Sequence, residues 1–595
     1  MAKGRMFLSE LARGDKSINP RSRSFPMVQL SGTMTENKVR FLSMRAIKFF
    51  KAASRLLTHA PARCYGSSAL SFGAVTLILY FARLSADMSI FTPMLGAFVA
   101  FLAIPFLLSE KPIPLVLQDF EVTDYIFFEF FCIKRFSKLE SAERVPIILS
   151  VFVGMLMALL GVVMPVWYVL LAELAFVFVG ITLSSPEFAF FASFLILPYM
   201  NLVPYSSLVF AAIILLTVLS FARKAIFGKR VFCIDGYDLL IGILMIVILV
   251  SGIFIKGMSS FTWSLGMLIM GFGYTIANNV VANRRLADRA FNALVISSLP
   301  PAAVAIASFI RTLSLGGGSA LVDVGVFYPF SSTGTAAIFM AVSALFSIAI
   351  LLQSHGMKKA FYSATFALEF CALILTGEML AVAVFVLGVS VYSLMRAFRG
   401  GAYLLPVLAI APYGILLLPT SALDRLFSVI PSLESAGELF RIWGASLRAF
   451  LENIVFGIGI GGESFAEEMA GAEIIGTNSS NLFIELALEA GIVALVCILS
   501  LLVIRVFHRA NYHSFVKNSE VSVISPVCSV CTFVLIAYGA FNYVFSDLLS
   551  TYLFWCIFGI GSAALRVAKR ETDDRIHYYE DTRARNSSSI DIEIL

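Results

Sequence analysis

The chain has 595 residues, of which 59% are hydrophobic and only 14% are charged, and its mean hydropathy is +0.89. Soluble domains carry about 25% charged residues, so this composition excludes a soluble protein and predicts an integral membrane protein. Lipid satisfies no backbone polar group, and the apolar runs are far longer than barrel strands, so the spanning elements are expected to be α-helices. The net charge of +6 comes largely from short loops and the N-terminus. It is therefore a topology signal and does not predict nucleic-acid binding.

The first 65 residues contain thirteen Lys or Arg and only three acids. No apolar signal-peptide core follows the basic start. Residues 39–57 alternate apolar and basic side chains at helical spacing, which predicts a helix lying on an anionic cytoplasmic leaflet. We therefore interpret residues 1–65 as a basic cytoplasmic region with an interfacial helix.

Apolar runs of membrane-spanning length recur along the rest of the chain. We predict spans near 68–84, 90–108, 146–164, 167–183, 186–200, 203–222, 236–255, 259–280, 290–310, 332–353, 360–376, 379–396, 402–419, 482–504, 524–543 and 548–566. Segment 167–200 has an alternative interpretation as one span and a re-entrant piece, and 109–145 is predicted to be an interfacial helix or hairpin. The predicted location is the cell (inner) membrane. The positive-inside rule then places both termini on its cytoplasmic side.

The predicted fold class is an all-α polytopic membrane protein with roughly 14–16 transmembrane helices and one large extracytoplasmic loop. Transmembrane helices occupy residues 66–419 and 482–566, the loop occupies 420–481, and a cytoplasmic tail occupies 567–595.

Two arginines in the predicted loop have a spacing that favours phosphate binding. Arg441 and Arg448 are seven residues apart, so an amphipathic helix presents both from nearly the same face. The planar guanidinium group matches phosphate geometry. Arg441, supported by Arg448 and by Arg311 in a second external segment, is therefore a candidate for holding a diphosphate. The alternative is that these arginines pair with loop glutamates or with lipid headgroups.

The same loop contains the glycine-rich run Phe456-Gly-Ile-Gly-Ile-Gly-Gly462. It lacks the GxGxxG spacing and the βαβ context of a nucleotide site. Gly457, Gly459 and Gly462 are instead expected to allow a tight backbone path where the loop re-enters the membrane. Backbone amides of such a turn can also contact a substrate phosphate.

All five histidines fall in predicted cytoplasmic segments. Any general base outside the membrane must then be a carboxylate, and Glu463 and Glu485 are the nearest candidates. Glu489 lies one turn after Glu485, so the two are expected to share a helix face. Asn478 can orient an acceptor hydroxyl by hydrogen bonding but cannot take its proton. The eight cysteines are scattered, and the Cys528-Ser-Val-Cys531 pair is interpreted as apolar packing rather than as metal or redox chemistry.

Several motifs occur in an order that resembles the O-antigen ligase and polymerase family over about residues 290–565. The two most specific are Phe456-Gly-Ile-Gly-Ile-Gly-Gly-Glu-Ser-Phe465 and Asn481-Leu-Phe-Ile-Glu-Leu-Ala-Leu-Glu-Ala-Gly491. Weaker matches are Phe327–Thr335, Leu375–Leu380, Arg441-Ile-Trp443 and Phe554-Trp555. The chain departs from the family pattern where Asn478 and Ser480 stand in place of histidines and Glu378-Met379 in place of a Ser-Arg pair.

The resemblance implies a surface polysaccharide polymerase or ligase that takes a glycan from a polyprenyl-diphosphate donor at the outer face, without metal or nucleotide cofactor. Arg441 matches the family's loop arginine, the glycines match its turn, and Asn481 matches its helix entry. The partners implied are the lipid-linked glycan, the bilayer and polysaccharide assembly proteins. Two alternatives remain open: a non-catalytic relative acting as an assembly partner, and a lipid-linked glycan flippase or exporter.

Overall fold

The computed structural model describes residues 59–133, 135, 145–200, 205–226, 232–254, 257–314, 329–397, 433–472, 474, 476–511 and 523–592. The first half contains α1 (Ala62–Phe81), α2 (Phe91–Leu107), α3 (Ile113–Asp119), α4 (Ile147–Leu159), α5 (Val166–Ser184), α6 (Pro186–Ile196), α7 (Ser206–Ile226), α8 (Gly236–Phe254) and α9 (Gly257–Val280). The second half contains α10 (Arg284–Ser314), α11 (Thr333–Leu351), α12 (Met357–Leu375), α13 (Met379–Ala397), α14 (Leu433–Glu452), α15 (Gly462–Met469), α16 (Leu482–Asn511), α17 (Ile524–Gly539) and α18 (Leu548–Ile592). A π-helix (Asp124–Phe130) lies between α3 and α4.

The all-α polytopic class is confirmed. In the described part of the chain, eight helices are long and apolar enough to cross a membrane by length and composition, and five shorter apolar helices accompany them. Within the described ranges the chain forms no β-strand. Helix α6 has only 11 residues and is almost entirely buried, so at 1.5 Å per residue it covers about 17 Å and is too short to cross a bilayer alone.

Helices α11 and α18 form the centre of the bundle. In the most apolar stretch of α11, 83% of the residues are buried. The corresponding share is 94% for α18 and 17% for α5. Helix α11 contains no charged residue, which suits a position where no side chain can reach water. Helices α9 and α17 pack against α18, and α10, α12, α13 and α17 pack against α11, whereas α1 packs against α2 and α4. The exposed apolar surface of α5 suits a lipid-facing position.

The ends of α10, α11 and α12 define two opposite ends of the bundle. At one end, which we call the loop end, the Thr333 hydroxyl donates to Glu378 at 2.8 Å. At the other, which we call the basic end, Arg284 donates to Gln353 at 3.3 Å. The 19 residues of α11 separate the two ends by about 28 Å.

A carboxyl group is buried within the bundle. Glu369 of α12 is fully buried and lies 2.5 Å from the Ser298 hydroxyl, 2.7 Å from that of Ser343 and 2.6 Å from that of Ser347. These serines belong to α10 and α11, so the contacts join three helices through polar groups that have no water to bond to.

Most predicted spans agree with observed helices to within a few residues, but α18 continues from the membrane into the predicted tail. The predicted 109–145 hairpin corresponds in its described part to α3 and the π-helix. The predicted helix at 39–57 and the predicted span at 402–419 lie outside the described residues. The division into domains stays a prediction.

Candidate active site

Helix α14 is the main element of the predicted loop and is amphipathic, as its spacing indicated. Its buried face, with Ile442, Ala445 and Ala449, packs in a small hydrophobic cluster with Phe465 of α15 and Leu488 of α16. Because Leu488 lies on a membrane helix, this cluster fixes α14 to the loop end of the bundle.

The rest of the α14 surface is exposed and divides into two strips. Phe440, Leu447 and Leu451 form an apolar strip with exposures of 66%, 45% and 65%. Arg441 and Arg448 are exposed, and at 100° per residue they lie between the apolar strip and the buried face. Among the described residues neither arginine has an ion-pair or hydrogen-bond partner. Both guanidinium groups are therefore available to an anion at the edge of an apolar surface.

The glycine-rich run is explained by a break in helix α16. Gly491 has φ 78° and ψ −175°, which interrupts the helix. The Leu488 carbonyl, which would accept from the Ile492 amide in an unbroken helix, accepts from the Ile458 amide at 2.8 Å instead, while Ile492 donates to the Ile454 carbonyl at 2.8 Å. The loop thus replaces hydrogen bonds that the helix loses at its break.

Close approach of the two backbones requires glycine on both sides. A Cβ atom on Gly457, whose φ is 71°, would lie 2.4 Å from the Glu489 backbone. A Cβ on Gly491 would lie 2.3 Å from the Val455 carbonyl oxygen. Real Cβ atoms do not approach this closely, and a positive φ adds strain for any other residue.

The amides of the glycine-rich run have partners inside the protein. Gly459 donates to the Glu489 carbonyl at 3.2 Å, Ile460 to the Ser260 hydroxyl at 2.8 Å, and Gly461 to Glu489 Oε1 at 2.8 Å. The geometry therefore gives this run a structural task, since its amides bind the loop to α9 and α16. A substrate-binding role for Gly457, Gly459 and Gly462 stays a prediction.

Glu485 and Glu489 lie one turn apart on α16 and are both buried, with exposures of 0% and 2%. Glu489 Oε2 accepts a hydrogen bond from the Tyr543 hydroxyl. Glu485 Oε2 accepts one from the Ser479 amide at 2.5 Å, whereas its Oε1 has no partner among the described groups. Burial, with the nearby acids Glu489 and Glu485, raises the pKa of Tyr543 well above its usual value, so its hydroxyl keeps the proton that it donates.

The turn that leads into α16 connects the acids to α14. The Trp443 indole donates to the Ser479 carbonyl at 3.0 Å. Asn481 caps α16 by accepting from the amides of Phe483 and Ile484 at 2.9 and 3.1 Å, as N-cap side chains do. Asn478 accepts from the Ser480 amide at 2.9 Å, which stabilises a turn in which Ser480 has a φ of 53°.

The structure brings some of the predicted site residues together and keeps others apart. Asn478, Asn481 and Glu485 share the turn at the start of α16. Arg441 lies about 160° around α14 from Trp443, so it points away from this turn. The predicted group is therefore divided between a buried acid-and-turn region and an exposed arginine strip.

Two further predicted residues lie outside both regions. Glu463 is exposed in the first turn of α15. Arg311 is exposed near the last turn of α10. For these two residues the structure gives position and exposure, and their roles stay predictions.

Sequence reasoning missed Tyr543, Ser251 and Ser260. Ser251 of α8 donates to the Glu489 carbonyl at 2.6 Å, and Ser260 accepts from the loop at Ile460. A sequence feature could have identified Tyr543, because Asn542-Tyr543 is a polar pair in the short connection between the last two apolar helices. No sequence feature marks Ser251 or Ser260, since a single hydroxyl in an apolar run is common in membrane helices.

The described part of the chain contains no group of three or more His, Cys, Asp or Glu that could hold a metal ion. Cys528 and Cys531 are free thiols, and both are buried in α17. Their burial agrees with the interpretation of this pair as apolar packing.

The fold and site together define a polytopic helical membrane protein whose loop is built onto a broken membrane helix. Residues 364–499 match the family described as O-antigen ligase. The match confirms the resemblance to this family over residues 364–499. It covers α14, α15 and the first half of α16, and thus Arg441, Arg448, Glu463, Asn478 and Glu485. No curated protein matches the chain.

Proposed function

We propose that the protein is a surface polysaccharide polymerase or ligase that transfers a glycan from a polyprenyl-diphosphate carrier to a glycan hydroxyl at the outer face of the cell membrane. The observation that carries the proposal is the O-antigen ligase match over residues 364–499, which contains the exposed arginine strip of α14. A general role in surface polysaccharide ligation or polymerisation follows from the family, and the donor chemistry is our inference.

The two exposed strips of α14 suit an amphipathic donor. A polyprenyl diphosphate has an apolar tail directly joined to a charged group, and α14 presents Phe440, Leu447 and Leu451 beside Arg441 and Arg448. The tail would lie along the apolar strip while the guanidinium groups donate hydrogen bonds to the diphosphate oxygens. Charge on that diphosphate grows as the glycosidic bond breaks, so Arg441 would stabilise the leaving group most strongly in the transition state.

In the proposed step the acceptor oxygen bonds to the anomeric carbon of the donor while the bond from that carbon to the diphosphate oxygen breaks. Polyprenyl diphosphate leaves with the bonding pair, and the hydroxyl proton passes to a carboxylate. Glu463 is exposed at the start of α15 and can meet an acceptor hydroxyl. Glu485 is covered and serves as the base only if the turn at Ser479 opens. We therefore favour Glu463 as the base.

The experiment is complementation of cells that lack the protein, followed by measurement of surface glycan length and of the lipid-linked pool. Arg441→Ala is expected to lower glycan assembly by roughly a hundredfold while short lipid-linked units accumulate. Arg441→Lys should restore part of the glycan assembly that Arg441→Ala loses, because the lysine ammonium keeps the positive charge but not the planar, two-pronged geometry of the guanidinium group. Glu452→Ala, an exposed change on the same helix, is the matched control. Full assembly with Arg441→Ala at normal protein level would reject the proposed site.

One observation favours a second function, a non-catalytic partner in polysaccharide assembly. The turn at the start of α16 carries Asn478 and Ser480 and no histidine, and the buried acids bind the protein's own backbone. A variant with Glu463→Gln and Glu485→Gln together separates the two functions. Normal glycan length in that variant would favour the partner, and loss of chain growth at normal protein level would favour the enzyme.

A further inference from the structure

A cavity of about 470 Å³ opens at the basic end of the bundle, far from the candidate active site. It lies between the π-helix and the first turns of α10 and α12. Its lining includes the cationic residues Arg284, Arg285, Arg289 and Lys358 and the acids Glu129 and Asp288. The volume is in the range of small-ligand sites.

The charges of this cavity are unbalanced. Asp288 lies 3.4 Å from Arg284, and Glu129 lies 3.6 Å from Arg135, a cation outside the lining. Arg285 and Lys358 are exposed, and neither forms an ion pair or a hydrogen bond with the described residues. An excess of positive charge faces a partly enclosed volume, which favours an anion.

Backbone geometry adds to this preference. Helices α10 and α12 both begin at the cavity, so the positive ends of two helix dipoles converge there. The residue before α12, Gly356, provides no side-chain cap. Its carbonyl accepts from the Lys359 amide at 3.1 Å, so the amides of Met357 and Lys358 are the first-turn donors of α12 that remain available among the described contacts. Cationic side chains combined with free helical amides are the groups that bind phosphate.

The surface beside the cavity is apolar. Met357 and Phe361 of α12 are 87% and 47% exposed, and Leu368 lies farther along the same face with 37% exposure. Tyr125, which lines the cavity, is 58% exposed. A soluble phosphate compound needs no such surface, whereas an acyl chain does.

We propose that this cavity binds the phosphate group of an anionic phospholipid from the leaflet at the basic end, with an acyl chain lying along Met357, Phe361 and Leu368. Basic pockets between membrane helices bind anionic headgroups in this way. The positive-inside prediction assigns this leaflet to the cytoplasm. The site is independent of the glycan-transfer proposal, because it lies at the opposite end of α11 and α12.

The test is native mass spectrometry of the full-length protein in mild detergent with added phosphatidylglycerol or phosphatidylcholine. The wild type is expected to retain one phosphatidylglycerol in preference to phosphatidylcholine. The double variant Arg285→Gln, Lys358→Gln should weaken that retention by roughly twentyfold, about fivefold for each cation. Lys359→Gln, an exposed neighbour that does not line the cavity, is the matched control and should behave as wild type.

Equal retention of phosphatidylglycerol by the wild type and the double variant would overturn the proposal, as would equal retention of the two lipids by the wild type. A competition arm with inorganic phosphate distinguishes the sources of the anion. Failure of millimolar phosphate to displace the lipid supports the phospholipid. Displacement at lipid-like concentrations would overturn the lipid as the ligand and leave a soluble phosphate compound in its place.

Discussion

The hydroxyl of Tyr543 donates to Glu489 Oε2, while the other oxygen of the same carboxyl accepts from the Gly461 amide at 2.8 Å. Three segments that are distant in sequence therefore meet at one buried group: the glycine-rich run, helix α16 and the connection between α17 and α18. This contact fixes the glycine-rich run, and with it the start of α15, relative to the membrane helices.

Glu489→Ala should loosen the loop. It removes the acceptor of the half-buried Gly461 amide and of the buried Tyr543 hydroxyl, at a cost of about 2–4 kcal/mol. Limited proteolysis of the 454–481 segment in detergent, together with thermal unfolding, measures the effect. Glu467→Ala changes an exposed acid on α15 and is the control. Equal protease resistance of the two variants would contradict the contact's role.

Gly491→Ala should destabilise the protein by roughly 2 kcal/mol or more. The new methyl group meets the Val455 carbonyl at a site with positive φ, and both effects are unfavourable. The measurement is the thermal unfolding midpoint in detergent. Gly180→Ala is the matched control, since a Cβ there has nothing within 4 Å and should have little effect or stabilise helix α5.

Tyr543→Phe should cost about 1–2 kcal/mol near neutral pH because Glu489 loses a donor. The folded state raises the pKa of Tyr543, so the stability that this proton contributes is present below the unfolded tyrosine pKa of about 10 and is lost as pH rises above it. The difference in unfolding free energy between wild type and Tyr543→Phe should therefore shrink from pH 9 to pH 11. A constant difference over that interval would show that Tyr543 ionises equally in both states.

Glu369→Ala should lower stability by about 3 kcal/mol, because three buried serine hydroxyls lose their shared acceptor. Glu369→Gln keeps one acceptor oxygen and should cost less. Thermal unfolding of the two variants in the same detergent tests the order. If the two substitutions are equally harmful, neither the volume nor the single acceptor oxygen that glutamine keeps contributes to stability, and the full carboxyl group is required at this position.

The membrane helices and α14 could be predicted from sequence because their causes are local: long apolar runs and a spacing of 3.6 residues per turn. The break at Gly491 could not, since the loop residues 454–458 that replace its lost hydrogen bonds lie more than thirty residues earlier. The motif drew attention to residues of this loop, but it could not predict the surroundings of each one. The arginines are exposed, the glycine amides are occupied, and Glu485 is covered, and each of these outcomes depends on packing between distant segments.

The exchange of hydrogen bonds at Gly491 has a consequence for engineering. The amides of Ile458 and Ile492 and the carbonyls of Ile454 and Leu488 form one set of contacts shared by loop and helix. A loop taken from a relative would therefore function only as a cassette that runs from before residue 454 to beyond residue 491. A graft that ends at the membrane surface would separate these amides from the carbonyls that accept from them. The recipient helix would then lack some of its backbone hydrogen bonds.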